Sequence, residues 1–170
     1  MEETIVNRVA NSGLITIDLE DLAPKGELVA FDIKDQLWQG LALKEKDFRA
    51  FIRENNWSIY QDKYVAIYCS VEAIIPKWAY MLLTTALQPF AKSIVFGDIE
   101  ELRKEIWKAV LDNLDLDSFE DKRVVVKGCS KEEIPTSIYV ELSRRLLPKV
   151  SILMYGEPCS TVPIFKKPKK

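Results

Sequence analysis

Histidine is missing from all 170 residues. Its absence removes Ser-His and Cys-His nucleophile pairs, imidazole acid–base catalysis and every metal site with an imidazole ligand. Proton chemistry must then fall to Asp, Glu, Lys, Tyr, Cys or bound water. Cysteine is scarce: three residues, an odd number, are spread over about ninety positions and form no disulfide framework. Free thiols or thiolate ligands in a reducing compartment fit better. Only six glycines occur, and neither GxGxxG nor GxxxxGKS/T is among the motifs. A classical nucleotide fold is therefore disfavoured, although two helix N-termini still offer places for a small anion.

No apolar run approaches bilayer length. The opening MEETIVNRVANSG has neither a basic n-region nor an apolar h-region and does not read as a signal peptide. A net charge of −2 gives no general attraction to nucleic acid or anionic lipid. The expectation is a cytoplasmic protein with neither nucleic acid nor membrane as partner.

What is present suits a globular core: 48% of residues are apolar and 29% charged. Residues 14–18 (LITID) and 28–34 (LVAFDIK) read as strands, and 37–43 (LWQGLAL) as a third. Residues 44–55 read as a helix with Phe48, Phe51 and Ile52 on one face, stopped by Asn55-Asn56. From Tyr64 strands and helices alternate. Strand 64–68 meets Cys69-Ser70, and a helix opens at Pro76 and closes at Pro89. Strand 93–97 leads to Asp98, which with Glu101 forms a capping box. The helix so capped places Ile99, Leu102, Ile106, Trp107, Val110 and Leu114 on one stripe. Strand 123–127 meets Cys129-Ser130, a helix runs from Pro135 to Pro148, and strand 151–155 leads to Gly156-Glu157-Pro158-Cys159-Ser160. The closing KKPKK reads as a solvated end.

Units of about 61–98 and 120–157 can be laid over each other: Asp62-Lys63 with Asp121-Lys122, Pro76 with Pro135, Tyr80 with Tyr139, Leu83 with Leu142, Pro89 with Pro148, Gly97 with Gly156. Gly128 is an extra residue before the second cysteine. This pattern predicts one α/β domain over 1–170, strand-rich in its first third. It contains an internal β-loop-α-β duplication in a shared, largely parallel sheet covered by helices on both faces.

In open parallel sheets, ligands bind beyond the carboxyl ends of the strands. A site is therefore expected at the Cys-Ser loops, with Ser70 and Ser130 as candidate ligand- or cofactor-binding hydroxyls. Two readings of the cysteines stand side by side. In one, Cys69, Cys129 and Cys159 with the Glu157 carboxylate (Asp98 as second choice) hold Zn or Fe in tetrahedral geometry. In the other, the cysteines pack as small hydrophobes and the chain is a non-catalytic interaction or homo-oligomerisation domain. A reactive thiol is the weaker idea, because Pro76 and Pro135 set the helix starts six or seven residues beyond Cys69 and Cys129. Ser-Lys pairs with Lys77 or Lys131 are possible, but nothing specifies them. The serines close loops on backbone amides in the plainer reading. Tyr80 and Tyr139 read as packing residues, and the all-round apolar stretch Trp78 to Leu83 reads as buried or as a subunit interface.

The strings IIPKWAYMLL (74–83), FDIKDQLWQGLALKEKDFRAF (31–51) and YGEPCSTVPIFKK (155–167) resemble an uncharacterised bacterial family carrying a domain of unknown function over the whole chain. The resemblance implies small cytoplasmic bacterial proteins and assigns no catalytic residue.

Overall fold

The structure is a computed structural model that describes residues 13–128 and 133–168. The described residues hold seven strands and four helices of appreciable length. The strands are β1 (Leu14–Asp18), β2 (Leu28–Asp32), β3 (Tyr64–Tyr68), β4 (Ser93–Phe96), β5 (Arg123–Lys127), β6 (Ile152–Glu157) and β7 (Ser160–Lys166). The helices are α1 (Glu45–Glu54), α2 (Lys77–Leu87), α3 (Ile99–Asp112) and α4 (Thr136–Leu146). The mixed α/β class expected from the alternation is what forms. The strands lie in two mostly parallel sheets, however, and not in one shared sheet. Periodicity fixes strand identity, but strand order depends on long-range packing that the sequence pattern does not encode.

The chain forms two compact units, Lys25–Ile106 and the described residues of Met1–Pro24 with Trp107–Lys170. In the first unit the order is β2-β3-β4, all parallel, with Leu28 beside Tyr64 and Tyr64 beside Ser93. Each parallel step needs a crossover, supplied by α1 and α2. Side chains alternate across the sheet. Val65 and Ile67 join Phe31, Phe48, Ala79 and Leu83 in one core, while Ala66 meets Leu102 and Ile106 in another.

In the second unit the order is β1-β5-β6-β7, the last strand antiparallel. Its core joins Ile17, Val124, Val126 and Leu153 of the strands to Trp107 and Leu111 of α3 and to Ile138, Leu142 and Leu146 of α4. The single stripe expected on α3 is therefore two. Leu102 and Ile106 serve one core and Trp107 and Leu111 the other, because Trp107 stands about 100° around the helix from Ile106.

Backbone geometry recurs 59 positions apart. Asp62 N–H donates to Phe90 C=O at 2.9 Å, and Asp121 N–H to Lys149 C=O at 2.8 Å. Lys92 N–H donates to Lys63 C=O, and Ser151 N–H to Lys122 C=O, both at 2.8 Å. Asp62 and Asp121 are both left-handed, with φ of 59° and 54°, a conformation that Asp tolerates better than most residues. On α2 the fully buried row is Ala79, Leu83 and Leu87; on α4 it is Ile138, Leu142 and Leu146.

One further expectation is corrected. Residues 37–43 form no strand: Ile33–Gln36 make a 3₁₀ turn, and Gln39 and Gly40, at φ of 51° and 70°, reverse the chain. Trp38 N–H then reaches Ala42 C=O at 2.8 Å, leaving Ala42 a lone bridge to Ile74. Residues 160–166, to which the sequence pattern assigns no element, form a strand. Pro163 lacks an N–H, but β7 lies at the sheet edge, where a missing donor is tolerated.

Leu83 and Leu142 occupy equivalent, solvent-free positions. Truncating either to Ala is expected to cost about 2–5 kcal/mol, the range for buried leucine. Urea titrations followed by tryptophan fluorescence check this, and a cost well under 1 kcal/mol at either site would contradict the packing.

Candidate functional site

In the unit Lys25–Ile106, the carboxyl ends of β2 and β3 are tied together by Asp32. Its Oδ1 accepts hydrogen bonds from the N–H groups of Ser70 and Lys34, both at 3.1 Å, and Lys34 Nζ stands 3.3 Å from Oδ2. Partial burial alone would raise the Asp32 pKa. The Ser70 hydroxyl, the two amides and Lys34 outweigh that and bring it to about 2. Ser70 thus spends its amide and hydroxyl on closing the loop. Cys69 Sγ–H donates to Val71 C=O at 3.2 Å, and the side chain packs against the Phe31–Phe48 core.

At the corresponding rim of the other unit, Lys127 Nζ lies 3.1 Å from Asp18 Oδ2 and 3.5 Å from Glu157 Oε1. Glu157 therefore pairs with an ammonium, and Cys159 is exposed in the turn between β6 and β7. Asp98 caps α3, accepting from Glu101 N–H at 2.9 Å. Cys129 and Ser130 lie outside the described residues. Among the described residues no group of three or more His, Cys, Asp or Glu side chains gathers as metal ligands would.

What this unit does bring together is a groove of about 350 Å³ between α4 and strands β5, β6 and β7. Leu142, Leu153 and Ile164 supply apolar walls, and Thr136, Tyr139, Ser143 and Tyr155 supply hydroxyls. Periodicity seats α4 through Ile138, Leu142 and Leu146, so Tyr139, one position past Ile138, falls at the margin of the core. Tyr155 comes from β6, and its ring meets that of Tyr139 edge-on, centroids 5.9 Å apart at 81°.

Gly128 allows the two phenols to converge. A methyl group there would lie 2.7 Å from Tyr155 Oη and 3.1 Å from Tyr139 Oη, so any side chain would displace both. The same edge-on pair recurs in the other unit as Tyr80 and Phe96, at 5.3 Å and 88°. There Cys69 holds the position of Gly128, and Phe96 carries no hydroxyl. Burial pushes the Tyr80 hydroxyl pKa up, and negative charge on Cys69 adds to the shift. The sequence reading assigned Tyr139 to packing and did not single out Tyr155. The available signal was Gly128 itself, since glycine at a strand end marks a close approach.

Asp32 carries a testable pH signature. Its pKa lies below the unfolded value of about 3.9, so its contribution is present above that pH and lost as pH falls through about 2. Asp32→Ala is expected to cost about 1–2 kcal/mol at pH 7. Denaturation curves of variant and parent should converge as the pH nears 2.

No curated protein and no solved structure matches the chain. A family model described as "Protein of unknown function (DUF2480)" matches residues 3–167, and the chain belongs to that family.

Proposed function

We propose that the chain is a ligand-binding α/β protein whose site is the groove beside α4. The observation that carries this is the convergence over Gly128 of the hydroxyls of Tyr139 and Tyr155, two residues that line an apolar cleft. Ligand sites are commonly of this kind, apolar walls with a few placed polar groups. At about 350 Å³ the groove lies at the small end of such sites.

Among the described residues the lining contains hydroxyls and no charged side chain. A buried ionic group would go uncompensated there, whereas a neutral hydroxyl, carbonyl or amide would find donors and acceptors. The ligand class is therefore a small, mostly apolar molecule with one neutral polar end. Membership of a family of unknown function is compatible with this reading.

The recurring bonds 59 positions apart support descent of the two units from one duplicated segment. On that view Gly128 and Tyr155 equip one copy for binding, and the other keeps Cys69 and Phe96. Among the described residues Cys69 and Cys159 are free thiols, which supports a reducing compartment such as the cytoplasm. No helix among the described residues is long and apolar enough to cross a membrane.

A fragment screen by protein-observed NMR, using neutral phenols, aromatic alcohols and amides, tests the proposal. Hits are expected to shift resonances of Tyr139, Ser143, Leu153 and Ile164. Tyr155→Phe, which keeps the ring and loses the hydroxyl, should weaken them about tenfold, equivalent to about 1.4 kcal/mol. Ile164→Trp should fill the cleft and abolish them. Hits that cluster elsewhere, or that ignore both variants, would overturn the assignment.

A further inference from the structure

In the sheet β1-β5-β6-β7 the far edge of β6 is covered by β7. In the sheet β2-β3-β4 the corresponding strand is β4, and among the described residues no strand pairs with its second edge. Among the described residues the opposite edges, β1 and β2, are unpaired in both sheets. At this edge the units differ: among the described residues β4 lacks the antiparallel neighbour that its counterpart has.

The open edge can be read residue by residue. Gly97 N–H donates to Ile67 C=O at 3.0 Å, and Val95 pairs with Ala66. Backbone groups two positions apart face the same way along a strand. Val95 and Gly97 thus face β3, which leaves the amides and carbonyls of Ile94 and Phe96 on the open side. The equivalent positions on β6 are Leu153 and Tyr155, which stand opposite Phe165 and Val162 of β7. At this edge Phe96 is 72% exposed. Unpaired edges with apolar flanks are templates for strand addition.

We infer that β4 pairs antiparallel with β4 of a second copy of this chain, joining two three-stranded sheets across a twofold axis. The strand is self-complementary in one register. With Val95 opposite Val95 at the axis, Ile94 of one copy faces Phe96 of the other, and both exchange backbone hydrogen bonds. An aliphatic β-branched residue against an aromatic is a favourable cross-strand pair. Moving the register by two residues sets Ile94 against Ile94 and Lys92 against Phe96, and the aliphatic–aromatic match is lost. An isologous contact of this kind closes on itself and does not propagate into a fibre.

Light scattering behind size-exclusion chromatography tests the pairing on the full chain. The parent is expected at twice its 19.5 kDa mass. Phe96→Lys, which removes the aromatic half of the Ile94–Phe96 pair and sets an ammonium against Ile94 of the partner copy, should return the single-chain mass with unchanged circular dichroism. Phe96→Tyr copies the residue that β6 carries and should stay dimeric. Amide exchange at Ile94 and Phe96 should slow as concentration rises, while that of Val95 stays constant. A parent that remains monomeric at millimolar concentration overturns the inference, as does a dimer that Phe96→Lys leaves intact. These readouts involve no groove residue, so their failure leaves the ligand proposal standing and the converse also holds.

Discussion

α4 rests on its sheet through three fully buried side chains, Ile138, Leu142 and Leu146, set against Val124, Val126 and Leu153. That contact fixes the rotation of the helix, and with it everything the helix presents beside the core. Tyr139 reaches Tyr155, and Thr136 and Ser143 border the same cleft, because one stripe of the helix is committed to the interior. If α4 turned by a single residue position, about 100°, the phenol pair would be lost while the helix survived.

The same scaffold in the other unit shows which features belong to folding and which to a site. Left-handed Asp62 and Asp121, the bonds they make to Phe90 and Lys149, and the helix rows of α2 and α4 are shared. They close the strand entries and bury apolar surface in both. Gly128 against Cys69, Tyr155 against Phe96, and the presence of β7 distinguish the units. Cys69 packs on one core, and β7 adds Phe165 to the other. Each difference lies at the carboxyl end or the edge of a sheet.

Electrostatics at the two rims serves mainly to hold strand ends together. Asp32 is satisfied by Ser70 and Lys34, and Lys127 is shared between Asp18 and Glu157. Acids whose oxygens accept from fixed amides and an ammonium have little capacity left for a cation. The hydroxyls of Thr136, Tyr139, Ser143 and Tyr155 differ from these acids, since each can both donate and accept.

Much of the local structure was legible in the sequence. Runs such as Val124-Val125-Val126 define strands, Pro76 and Pro135 define helix starts, and Asp98 caps α3, because each depends on backbone preferences within a few residues. The correspondence between Tyr80 and Tyr139 was visible for the same reason. Tertiary structure alone decided that the strands divide between two sheets, that α3 serves two cores, and that Gly128 lies under two phenols. Those outcomes rest on contacts between residues far apart in the chain, and spacing along a sequence carries no term for which distant surfaces bury each other best.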